Sequence, residues 1–183
     1  AGNSALGFNS LYANTTGANN IAIGTATLDA NTTGSYNTGL GYAALSANTT
    51  ADYNTAVGYN SLTANTTGTN NVSVGYAALD ANTTASYNTA IGKDAMRTNT
   101  TGASNTAVGF SSLRGNGDNN IAMGANSLGE NTTGSGNSAL GSGALAANTT
   151  GASNTAVGLG ALAVNTTGTE NVAVGNGALD ATG

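Results

Sequence analysis

The stretch Asn54-Thr-Ala-Val-Gly-Tyr-Asn-Ser-Leu-Thr-Ala-Asn-Thr-Thr-Gly-Thr-Asn70 returns with few changes from one end of the chain to the other. With its first Asn as offset zero, the anchors are Asn3, Asn20, Asn37, Asn54, Asn71, Asn88, Asn105, Asn120, Asn137, Asn154 and Asn171. Nine of the ten spacings are 17 residues, and Asn105 to Asn120 is 15. Offset four is Gly in all eleven copies, from Gly7 to Gly175. Such strict self-similarity makes the repeat, not the length, the unit of the fold.

Seventeen residues are too few for a helix pair, and Gly, Asn, Thr and β-branched residues all disfavour helix. The pattern therefore predicts an all-β parallel β-solenoid, a β-roll with one 17-residue coil per repeat, about 11 coils and two short strands per coil. At about 4.8 Å per coil the rod would be on the order of 50 Å long. Residues 1–183 read as a single repeat array, expected to be a segment of a longer fibre because the two ends run in phase and carry no distinct capping segment.

Offset eight defines the expected core ladder: Leu11, Leu28, Leu45, Leu62, Leu79, Met96, Leu113, Leu128, Leu145, Leu162 and Leu179. In the first strand, offsets one and three carry pairs such as Ile21 and Ile23 or Val72 and Val74, which share a face by period-two alternation. We expect those branched residues to meet the leucines inside. Offset two would then point outward, making Ala5, Ala22, Ala56, Ala90, Ala107, Ala122, Ala139, Ala156 and Ala173 a candidate self-association face. A single coil buries almost nothing, so stability must come from stacking many. The Gly at offset four is expected where the chain leaves the strand, either at positive φ or against a close neighbour.

Composition closes off several functions. The chain has no Cys and no His, which removes disulfides, thiolate nucleophiles, zinc-thiolate clusters and imidazole catalysis. Charged residues are 6% of the chain, against about 25% in ordinary globular proteins. Three cations, Lys93, Arg97 and Arg114, cannot neutralise a run of phosphates, so no nucleic-acid partner is expected. No apolar stretch is long enough for membrane insertion. The acids are scattered: Asp29, Asp80 and Asp180 share offset nine on non-adjacent coils, and no carboxylate pair is enforced. No enzyme activity, cofactor or metal is expected.

Nine copies carry N-T-T, opened by Asn14, Asn31, Asn48, Asn65, Asn82, Asn99, Asn131, Asn148 and Asn165. One reading is an Asn/Thr ladder that satisfies itself and the turn. A second is N-linked glycosylation, since each is formally an acceptor sequence. A third is ice binding by a regular array of Thr. The aromatic residues fall in two columns, Phe8, Tyr42, Tyr59, Tyr76 and Phe110 at offset five, and Tyr36, Tyr53 and Tyr87 at offset sixteen. They are expected to cover turns rather than to serve as sugar platforms.

The run N-T-A-V-G-Y-x-A-L, as in Asn54 to Leu62 and Asn105 to Leu113, resembles the head repeats of trimeric autotransporter adhesins and related bacteriophage tail-fibre repeats. The likeness spans the whole chain, with the NTTG element lengthening one turn. It implies a left-handed parallel β-roll, a homotrimer, and an adhesive fibre outside the cell or on a virion, with surface glycans or a host receptor as partners. Together with the open, in-phase ends, it leads to the expected function: a structural subunit of an extracellular filament or surface appendage, stacking end to end, as a homo-oligomer, or both. The alternatives are an ice-binding solenoid and a glycan-coated fibril.

Overall fold

The computed structural model describes residues 2–180. Eleven strands of three residues form one parallel sheet: β1 Ser4–Leu6, β2 Ile21–Ile23, β3 Thr38–Leu40, β4 Thr55–Val57, β5 Val72–Val74, β6 Thr89–Ile91, β7 Thr106–Val108, β8 Ile121–Met123, β9 Ser138–Leu140, β10 Thr155–Val157 and β11 Val172–Val174. Their order in the sheet is their order in the chain. Each residue pairs with its own counterpart one repeat later, as Thr55 with Val72 and Val57 with Val74. The fold is a β-solenoid in which each repeat winds once and returns one strand further along. The 15-residue unit keeps this register, with Thr106 opposite Ile121, so its two missing residues are removed from a turn and not from the sheet.

The sheet ends at offset four for two reasons that act together. Every Gly there has φ between 130° and 141°, a region open to glycine and strained for any side chain. In ten of the eleven, an added Cβ would also run into the backbone of the next coil's Gly, as Gly58 into Gly75.

The expected second strand does not form. There is one strand per coil, and the Leu segment is a chain of turns. All eleven offset-eight residues have φ between 48° and 55°, and the offset-six residues are left-handed as well. No extended strand can contain such residues. The coils nonetheless stay bonded here, Leu28 N donating to Ala44 O at 3.0 Å and Leu45 N to Ser61 O at 3.1 Å. Hydrogen bonding between coils, not strand conformation, is what the Leu segment shares with the sheet.

The two faces of the strand are also the reverse of the expectation. Ala22, Ala56, Ala90, Ala107, Ala122, Ala139 and Ala156 have no exposed surface, and Ala173 is 3% exposed. Only Ala5, on the first coil, lies open. The branched neighbours point to solvent, with Ile21 43% and Ile23 38% exposed. The self-association face proposed on Ala is therefore the core wall. The reason is volume: a strand of three residues lies so close to the Leu turn that each coil has room for one methyl opposite its leucine, not for two branched side chains.

The core ladder sits where offset eight puts it. Leu28, Leu45, Leu62, Leu79, Met96, Leu128 and Leu145 are fully buried and Leu113 and Leu162 nearly so; Leu11 is half-buried and Leu179 exposed on the terminal coils. Each buried leucine contributes about 1.5–3 kcal/mol, and burial requires a coil on both sides. The stabilisation thus belongs to the stack and not to any one repeat.

Candidate functional site

Two columns of asparagine run through the interior and meet at the backbone carbonyls that close the NTT turns, such as Gly34 O. In the NTT column, Asn31, Asn48, Asn65, Asn82, Asn99 and Asn148 are completely buried and Asn131 almost so. All of these amides except that of Asn131 donate to the Oδ1 of the preceding coil, as Asn48 to Asn31 at 2.8 Å, Asn65 to Asn48 at 3.1 Å and Asn82 to Asn65 at 2.9 Å. The same Nδ2 donates within its own turn, as Asn31 to Gly34 O at 3.0 Å. The column is two ladders, Asn14 to Asn99 and Asn131 to Asn165, interrupted at the 15-residue unit.

The offset-zero column is the second ladder, and its burial is the feature that sequence reasoning missed. Asn20 Nδ2 donates to Gly34 O at 2.8 Å, and Asn20 Oδ1 accepts from the backbone N of Asn37 at 2.9 Å. Gly34 O therefore receives both columns, Asn20 from one side and Asn31 from the other. Only a side chain that carries a donor and an acceptor on one carbon can do this, which explains why offset zero is Asn in every copy. Strict recurrence of Asn, and not Asp or Ser, was the signal available in the sequence.

These contacts bear on the glycosylation reading. All nine N-T-T asparagines use Nδ2 as a hydrogen-bond donor inside the protein. A sugar on that nitrogen of an interior coil would replace one of its two hydrogens and needs room that a buried amide lacks, so it would open the ladder. The Thr array is committed in a similar way. In seven of the nine turns the first Thr donates Oγ1 to the equivalent carbonyl one coil on, as Thr32 to Thr49 O at 3.0 Å and Thr149 to Thr166 O at 3.0 Å, while Thr100 donates to Asn116 Oδ1 at 2.9 Å. The second Thr of every turn stands in solvent, and Thr15, Thr132 and Thr166 are exposed as well.

The outer surface is organised in columns. Along the sheet, offsets one and three present Thr, Ser, Ile, Val, Leu and Met, with no charged residue on any of the eleven strands. Tyr42, Tyr59 and Tyr76 stack at 5.0 and 5.4 Å with nearly parallel rings, and Tyr36 stacks on Tyr53 at 5.0 Å. Lys93 takes the next place in the first column, its Nζ 5.7 Å from the Tyr76 ring and 5.8 Å from Phe110. Stacked rings cover one another's faces and leave edges and hydroxyls to water, so they have little face to offer a sugar. Tyr87 stands alone, 64% exposed.

Charged groups gather around one part of the Leu turn. Arg97 lies 3.6 Å from Asp80 and 3.5 Å from Asp94, and Lys93 3.9 Å from Asp94. Burial pushes the Asp80 carboxyl above the ordinary aspartate value of 3.8, and the Arg97 guanidinium offsets only part of that. Arg114 makes no ion pair among the described residues. It lines a notch of about 280 Å³ with Thr98, Asn116, Glu130 and Thr132, where the 15-residue unit lacks the full turn. There Asn116 Oδ1 replaces the missing backbone by accepting from Thr100 N at 2.7 Å and Thr101 N at 3.1 Å. No group of three acidic side chains is placed to hold a metal among the described residues.

The arrangement offers periodic hydrogen bonding inside and periodic apolar and aromatic columns outside, and the two carboxylates it brings together, Asp80 and Asp94, are bridged by Arg97. No protein-family model, curated protein or solved structure matches this chain.

Proposed function

We propose that the chain is a structural subunit of an extracellular filament or surface appendage, growing by end-to-end stacking of coils. The observation that carries this reading is the in-register repetition of one coil along the stack. Every interior strand is paired on both sides by its own counterpart, and the coils are bonded to one another through strand, Leu turn and offset-zero asparagines in one recurring pattern. The edge of such a coil templates a further coil of its own sequence. The extracellular setting and kinship with adhesin heads or tail fibres rest on the repeat resemblance. Low charge and an interior given over to repeated packing and hydrogen bonding fit a mechanical task.

Electron microscopy of native material and of the purified chain tests the proposal. Filaments with an axial repeat of about 4.8 Å per coil are expected. Separate short rods at every concentration would overturn it. Thermal hysteresis, measured on the same sample, would move the assignment to ice binding; none is expected, because half of the turn threonines have their hydroxyls engaged.

A further inference from the structure

The eleven-stranded sheet has one face against the core and one face against nothing. On the open face Ile21, Leu40, Ile91, Ile121, Met123 and Leu140 are each 40–43% exposed. Soluble proteins seldom leave a contiguous apolar surface of this extent uncovered. We infer that this face is an interface with a second copy of this chain, packed sheet on sheet along the rod.

Three features point to a second copy and not to a different partner. The first is period. Outward side chains recur once per strand, at about 4.8 Å, over all eleven strands, and only a surface with the same period can interdigitate along the full length. An unrelated globular partner would match two or three strands and lose step. The second is chemistry. The strip holds methyl, methylene, thioether and hydroxyl groups and no charge, so two copies meet without burying an unpaired ion. The third is area. Twenty-two side chains, thirteen of them exposed and nine partly so, present on the order of 1,000 Å² per copy, above the roughly 800 Å² that each partner brings to a standard interface. Paired sheets of this kind sit about 10 Å apart.

This pairing is lateral and does not depend on axial growth. β6 is the sixth of the eleven strands, so in a fully overlapped pair it faces its own counterpart whether the copies run parallel or antiparallel.

The test is sedimentation equilibrium on the whole chain. The wild type should sediment at twice 17.5 kDa. V74K/V108K should dissociate, with association weakened about a hundredfold or more by the buried charges. Ser46→Lys, on the Leu turn, should leave the pair intact. A monomeric wild type at 100 micromolar (an order-of-magnitude upper working concentration), a three-chain assembly, or a V74K/V108K protein that still pairs would overturn the inference. Should the lysine variant lose its circular dichroism, a short bis-maleimide decides: it should link two copies through Ile91→Cys and not through Ser46→Cys, and equal linking would overturn the pairing. Microscopy separates this from the filament. Rods that lengthen at single width count against the pair alone, and rods of double width that do not lengthen count against the filament alone.

Discussion

The Cγ2 methyl of Thr27 occupies the space that a side chain on residue 39 would need: a Cβ built on Gly39 would lie 2.5 Å from it. Offset seven is otherwise Ala or Ser and offset two is otherwise Ala or Ser, so this pair exchanges volume across the core where its neighbours share it evenly. Thr27 also donates Oγ1 to Gly41 O at 2.6 Å, so its hydroxyl is held as its methyl fills the gap.

A double-mutant cycle should expose that exchange. Gly39→Ala alone is expected to destabilise by about 1–3 kcal/mol through overpacking. Thr27→Ser alone should cost about 1 kcal/mol by removing a buried methyl while keeping the hydroxyl. Combined, they recreate the pair found in other coils, and the coupling should recover about 1–3 kcal/mol. Thermal melts of the four proteins suffice, and additive losses would show that the two sites do not share space.

The Asn ladder makes a prediction with a pH signature. Asn65→Asp removes the donor to Asn48 Oδ1 and to Gly68 O, and sets a buried carboxylate against two acceptors. Burial and repulsion must raise its folded pKa above about 3.9. A raised folded pKa favours the native state below the unfolded value, and that advantage fades as pH rises through the folded value. The variant should therefore be near wild type at pH 3 and less stable by a few kcal/mol at pH 7, as a buried unsatisfied charge requires (about 1–3 kcal/mol or more). An equal deficit at both pH values would mean that the ladder's donors are not what the site needs.

Asp80 carries the same sign in the native protein. Its pKa is raised, chiefly by burial. Its contribution to stability is then greatest below pH 3.8 and declines as pH climbs through the folded value. Asp80→Asn should raise the melting temperature at pH 7 relative to wild type and do nothing at pH 3. A lower melting temperature at pH 7 would show that the ion pair with Arg97 outweighs the burial.

Backbone conformation gives opposite predictions at two positions two residues apart in the repeat. Ala43 has φ 51°, a left-handed geometry that Gly adopts freely, and Ala43→Gly should stabilise by up to about 1 kcal/mol. Gly41 has φ 133° and faces the backbone of Gly58, so Gly41→Ala should destabilise by more than about 3 kcal/mol. Comparing the two melts with wild type checks both, and a stabilised Gly41→Ala would contradict the coil packing outright.

Much of this architecture was legible in the residues. A 17-residue period in a chain of Gly, Asn, Thr and β-branched residues admits little except one coil per repeat, and Leu at offset eight marks the core because no other apolar position is as strict. The NTT turn already contained the ladder reading that its hydrogen bonds realise. Offset-zero Asn was visible as a constant, yet its burial was not, because polar residues are ordinarily outside and only the closed coil supplies the partners that let one sit within.

The sequence by itself determined the period, the parallel in-register stacking and the grouping of offsets one and three against offset two. Only the tertiary structure decided which of those two groups faces inward. Alternation fixes relative direction and carries no sign; the sign comes from the width of the coil, where the left-handed turn at Leu brings the opposite wall so close that alanine fits and valine does not.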